Sequence, residues 1–130
     1  MFNLIGYLYL TSDRSWQAEQ ALRRDPLWAA PVLWRSEFRN VLALYIRQGL
    51  LSLEDAHQAM DEALGLMHSQ EYEVTSLRVL SLAASSACSA YDCEFVALAQ
   101  DLNVPLVTVD RQILEQFPET AISLGSFVAA

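Results

Sequence analysis

The sequence predicts an α/β domain, a short and mainly parallel sheet sandwiched between helices. Short apolar runs alternate along the chain with segments of helical period, the pattern of strand–helix–strand units. Hydrophobic residues make up 53% and charged residues 18% of the 130 positions, enough to fill an interior between layers and too apolar for disorder. The length suits one core, so residues 1–130 are read as a single domain with no internal repeat.

Each element follows in order. Residues 3–10 are apolar and aromatic and end at the polar Thr11-Ser12-Asp13. Residues 14–24 read as a helix that stops before Asp25-Pro26. Leu27–Ala30 reads as a short strand and Pro31 as a first-turn proline. From Val32 to Gln48, apolar residues at 34, 38, 41, 42 and 45 form a helical stripe, and Gly49 supplies a C-cap. Ser52, with Asp55 three residues on, opens a helix to about Met67. Tyr72–Val74 is a second strand, and Leu77–Ala87 a helix with Leu77, Leu80 and Ala84 on one side. Ser89 caps a helix to about Leu102, which Asn103 stops. Val104–Val109 is a buried strand with Asp110 at its C-terminal end. Arg111–Phe117 is a short helix, Ala121–Leu124 a last strand and Ser126–Ala130 a tail.

Charge narrows the function. Eight arginines, no lysine and 16 acids give a net charge of −8 and a pI near 4.5. Such a chain is no general polyanion binder. If it meets nucleic acid, a divalent cation or a basic partner must offset the repulsion. Cys88 and Cys93 have neither CxxC spacing nor a nearby histidine, which argues against zinc and for two free thiols in a reducing compartment. There is no basic leader before the apolar start, and no apolar run nears the ~18 residues of a membrane span. The expectation is a soluble cytoplasmic protein. P-loop, GxGxxG and GxSxG motifs are missing. His57 and His68 read as solvated, and the tryptophans and tyrosines as core or subunit interface.

Three acids sit in unusual places. On the helical wheel Asp92 is surrounded by Cys88, Phe95, Val96, Ala99 and Leu102, while Glu94 and Asp101 take the opposite, polar face. A bare acid in an apolar arc is costly, although Ser89-x-x-Asp92 also fits a capping box. Glu37 borders an apolar stripe beside Trp34, Val41 and Leu44, and pairing with Arg35 or Arg39 is the plainer alternative. Asp110 ends a strand where open α/β sheets bind ligands, and it could equally cap the helix at Arg111. Together the three could converge at one sheet edge. Clustered carboxylates repel one another unless a cation binds. Oxygen ligands without His or Cys suit Mg²⁺ or Mn²⁺, and such ions support in-line attack at a phosphodiester.

Trp34-Arg35-Ser36-Glu37-Phe38-Arg39-Asn40-Val41-Leu42, Ser89-Ala90-Tyr91-Asp92-Cys93-Glu94-Phe95-Val96-Ala97-Leu98-Ala99 and Pro105-Leu106-Val107-Thr108-Val109-Asp110-Arg111 resemble, in order and spacing, the PIN-domain family. More narrowly they resemble the VapC-type toxins of toxin–antitoxin pairs. The resemblance covers nearly the whole chain. It implies a PIN-like three-layer α/β/α sandwich and a metal-dependent ribonuclease using Mg²⁺ or Mn²⁺. It places catalytic and metal-binding acids at Glu37, Asp92 and Asp110, with Thr108 supporting the last. It also implies an RNA substrate, an antitoxin partner and a homodimer, expected through the N-terminal helix with Tyr7, Tyr9 and Trp16.

One departure stands out. The family opens with a central strand ending in Asp-x-Asn, whose Asp is a principal metal ligand. Here Asn3 matches the Asn and Met1 takes the Asp position, so the first strand is missing. The expectation is a shortened N-terminus with weak metal binding and slow or absent cleavage in this form. The competing reading is a non-catalytic PIN-fold interaction module. A response-regulator receiver is set aside because it needs a late lysine.

Overall fold

The computed structural model describes residues 14–129. The N-terminal segment discussed above, with Met1, Asn3, Tyr7 and Tyr9, lies outside the described residues, as does the expectation of a missing first strand. The elements are α1 (Ser15–Arg24), β1 (Ala30–Pro31), α2 (Trp34–Arg47), α3 (Leu53–Leu66), β2 (Glu71–Tyr72) and α4 (Ser76–Ala84). They continue with α5 (Ala90–Leu102), β3 (Leu106–Thr108), α6 (Arg111–Gln116), β4 (Ala121–Ser123) and α7 (Leu124–Ala129). The fold is α/β, with helices packed against short parallel strands.

Every described strand pairing is parallel. β1 pairs with β2 in the register Ala30↔Glu71 and Pro31↔Tyr72. β3 pairs with β4 from Leu106↔Ala121 to Thr108↔Ser123. Among the described residues these form two two-stranded sheets rather than one. Pro31 belongs to the strand, not to the first turn of the helix. Its ring costs the ladder nothing, because Ala30 and Val32 donate to Gln70 and Tyr72 at 3.1 Å each while position 31 faces away.

The hub is α5. It contacts β1 and β3 and packs against α4, so its interior is apolar nearly all round. Cys93, Phe95, Val96, Ala97, Leu98 and Ala99 are all buried. Each large side chain among them contributes about 1.5–3 kcal/mol by leaving water. Ser89 caps this helix by accepting from the Asp92 amide at 3.1 Å. Asn103 ends it in the left-handed conformation at φ 54°. Ser52 caps α3 in the same way, accepting from the Asp55 amide at 3.0 Å. Gly49 takes φ 71° in the turn after α2, where a side chain would be strained even though the space is open.

Leu77, Leu80 and Ala84 share an exposed side of α4, with Leu77 79% exposed, and Val79 is its buried residue. One expectation is corrected. The expected tail is helical: α7 packs on α1, β3 and β4, and Arg24 lies over the Phe127 ring at 5.5 Å. Trp28 and Trp34 are core residues, whereas Trp16 is 66% exposed. Both cysteines are free and buried. No helix among the described residues is long and apolar enough to cross a membrane.

Candidate functional site

The topology places the acids at comparable points. Glu37 lies in the first turn of α2, just after β1, and Asp92 in the first turn of α5. Asp110 is the N-cap of α6, just after β3. Two of the three therefore follow the carboxyl ends of parallel strands, and α5 touches both of those strands.

Asp92 is the common neighbour. Its charge acts on Glu37, and it feels the charge of Asp110 in turn. Burial, then the charges of Asp92 and Glu94, push the Glu37 carboxyl up to about 7. Glu37 remains open to solvent at its surface. Water touches the side chain, while neighbouring protein removes part of its solvation. The arginine alternative is not realised. Arg35 makes a two-pronged ion pair with Glu71 of β2, and the Trp34 indole donates to the same carboxylate at 2.8 Å. Arg39 donates instead to the Arg35 carbonyl and the Ser36 hydroxyl.

Asp92 is half-buried, and burial followed by the charge of Asp110 raises its carboxyl. The capping alternative holds for Asp92 as well, since hydrogen bonds with Ser89 pull in the opposite direction. Asp110 also caps, with Oδ1 accepting from the Ile113 amide at 3.0 Å. Thr108 is fully buried, and its Oγ1 accepts from the Asp110 amide at 3.1 Å, which fixes the backbone beneath that acid. Capping and site geometry are compatible, because a carboxylate has two oxygens and a cap uses one.

Glu94 is the residue that sequence reasoning misplaced. It is half-buried rather than on a solvated face. Burial raises its carboxyl, and its charge acts on Glu37. The reason is α4, whose Arg78 meets Gln100 and Asp101 on the side that the α5 wheel leaves polar. The two helices flank an open cleft of about 410 Å³ lined by Val74, Ser76, Val79, Leu80 and Glu94. The helical wheel of one element carries no signal for a second helix laid across it.

A hard divalent cation suits this cluster by its donor chemistry. The donors are carboxylate oxygens, and each raised acid would ionise more readily beside a positive charge. The buried thiols nearby do not compete: burial foremost, and for Cys88 the charges of Asp92, Cys93 and Asp110, push them up and keep them protonated. Among the described residues no group of three or more His, Cys, Asp or Glu side chains is drawn together tightly enough to hold a metal ion. Asp92 and Asp110 are turned toward their caps.

Comparison with known proteins adds to this geometry. No family model matches the chain. The chain is 31% identical over 117 residues to Ribonuclease VapC3 of Pyrobaculum aerophilum, covering 88% of this chain and 89% of that protein. The crystal structure of PAE2754 from Pyrobaculum aerophilum matches with a TM-score of 0.68 at 23% identity, covering 87% of this chain and 88% of that one. At that identity the second match speaks for the fold alone.

Proposed function

Because the chain belongs to the VapC-type family of PIN-like ribonucleases, we propose that it is a metal-dependent endoribonuclease and the toxin of a type II toxin–antitoxin pair. One observation carries the reading. Glu37 is a carboxyl with no arginine partner among the described residues, and burial together with Asp92 and Glu94 raises it to about 7. Glu37 sits in the first turn of the helix that follows β1, and raised carboxyls cluster at functional sites.

Glu37, Asp92 and Asp110 would hold Mg²⁺ or Mn²⁺, and the ion when bound would supply positive charge against the phosphodiester and the acidity to prepare a water for in-line attack. The protein's own part is positioning. The α6 cap and the Thr108 hydroxyl hold Asp110 at the end of β3. The Ser89 capping box holds Asp92 beside Glu37. Asn3 supports the same site in this reading.

The partners follow from charge and surface. The substrate is RNA. An antitoxin approaches the acidic site with a basic segment or an inserted helix. A second copy of the chain covers the apolar N-terminal region and Trp16, which is 66% exposed. Two free buried thiols fit a reducing compartment, the cytoplasm. Light scattering at micromolar concentration tests the dimer, and a monomer at every concentration refutes it.

The test of function is cleavage of varied RNA with Mn²⁺ or Mg²⁺, with chelator, and with Glu37→Gln. Cleavage in the first case alone supports the reading. The second reading, a non-catalytic interaction module, draws on the lack of a closed three-ligand group among the described residues. A folded protein that binds a basic antitoxin yet leaves every RNA intact would establish it.

A further inference from the structure

We propose that the cleft between α4 and α5 is a base subsite that seats a guanine of the RNA, with Glu94 accepting from its Watson–Crick edge. The proposal rests on the ribonuclease reading and names the specificity of that same site. The cleft holds about 410 Å³, within the size range of small-molecule sites. Its walls are Val74, Val79 and Leu80, an apolar surface for the faces of a flat ring. Leu80 is 63% exposed, an apolar side chain at the rim without a cover. The polar groups are few, Glu94 and Ser76. The half-buried Glu94 carboxylate makes no hydrogen bond or ion pair among the described residues. A carboxylate so placed is poorly compensated until donors arrive. Glu94 follows Asp92 by two positions, so the cleft lies at the same N-terminal end of α5 as that acid.

The chemistry of the polar pair selects the base. Guanine presents two adjacent donors, N1–H and N2–H₂, which match the two oxygens of one carboxylate. Beside them lies the O6 acceptor, which suits the Ser76 hydroxyl as donor. Adenine and cytosine offer a single amino group next to a bare ring nitrogen that a carboxylate repels. Uracil offers one N–H between two carbonyls that repel it as well. Single-stranded RNA is commonly read on this edge, and a good two-bond pair discriminates by about tenfold or more. With aliphatic walls, the ring faces add affinity for any base, and the choice lies with the edge.

Two measurements test this. In the first, the methyl resonances of Val74, Val79 and Leu80 are followed while the whole protein is titrated with guanosine, adenosine, cytidine and uridine monophosphates in Mg²⁺. Guanosine monophosphate is expected to move them at a concentration about tenfold or more below the others, and Glu94→Gln to abolish the difference. In the second, cut sites are mapped on random-sequence RNA. A guanine at one fixed position from the cut is expected, and Glu94→Gln should lower its ratio to the other bases about tenfold. Methyls that answer all four nucleotides equally, or none, overturn the proposal. So does an antitoxin helix that moves them where no nucleotide does. RNA cut without base preference and without methyl response overturns the subsite and leaves the ribonuclease standing. A guanine-selective methyl response in a protein that cuts nothing does the reverse.

Discussion

The acid at position 37 makes stability fall as pH rises. Its carboxyl titrates near 7 in the folded chain, against an ordinary value near 4.5. Between those values the folded state binds more protons than the unfolded one, so stability falls as pH rises. Asp92, raised by burial and by Asp110, adds a slope of the same sign. Because Glu37 stays in contact with solvent, screening keeps the effect modest. Metal-free protein should melt at a lower temperature at pH 8 than at pH 5.5. Glu37→Gln should flatten that dependence and raise the melting temperature at pH 8, while cleavage is lost. A melting temperature that rises with pH in the metal-free wild type would contradict the assignment. At Asp110 the capping and chemical roles can be separated by substitution. Asparagine caps a helix about as well as aspartate, whereas alanine loses about 1 kcal/mol. Asp110→Asn should therefore keep the melting temperature but lose Mn²⁺ binding and cleavage. Asp110→Ala should lose stability as well. An Asn variant that still cleaves would mean that Asp110 is a cap and nothing more.

At the scale of elements, caps and buried strands were legible in the sequence because their causes are local. Ser52 and Ser89 accept from amides three residues on, and Asn103 stops α5 with a left-handed turn. That last reading gives a test. Asn103→Gly should hold stability within a few tenths of a kcal/mol, because glycine enters the left-handed region freely. Asn103→Ala should lose about 1 kcal/mol or more in denaturant unfolding, because a Cβ is penalised there. Equal stability of the two variants would contradict the role of the turn. The strands Val104–Val109 and Ala121–Leu124 were legible from apolar runs, although only Leu106–Thr108 and Ala121–Ser123 pair. What stayed hidden depends on neighbours distant in sequence. Pro31 looked like a helix start because the alternation of ladder bonds that spares it is set by β2, some forty positions away. That Leu77, Leu80 and Ala84 share one side of α4 was legible, but not that this side is exposed while Val79 is buried. The packing of α4 against α5 turned Glu94 from an expected surface acid into a cleft residue. The tail gave no periodic signal because α7 is six residues long. Of the acids, Asp92 stood out by its wheel and Asp110 by its strand end. The isolation of Glu37 from Arg35 was not legible, because Glu71 comes from another element.

The whole molecule carries a net charge of −8, with eight arginines against 16 acids. At least two of those arginines are engaged with acids of the same chain, Arg35 with Glu71 and Arg78 with Asp101 at 3.9 Å. A surface of this kind repels RNA, so counterion release cannot be the main source of binding. A protein that makes 6–10 phosphate contacts loses about 10³–10⁵ in affinity between 50 and 200 mM salt. Here the dependence should run differently. In chelator, fluorescence anisotropy should detect no RNA binding, and at low salt the long-range repulsion should be greatest. Adding Mg²⁺ should create binding, because the cation cancels charge at the carboxylates and meets the phosphate together with them. Raising monovalent salt over the same interval should then weaken it by less than about tenfold, since few phosphates are held by arginine. Charge removal at the site supplies the internal control: Asp92→Asn should weaken the Mg²⁺-induced binding and lessen the repulsion seen without it. Tight binding in chelator that falls steeply with salt would reveal a basic RNA interface on the molecule and remove the cation from its central place in recognition.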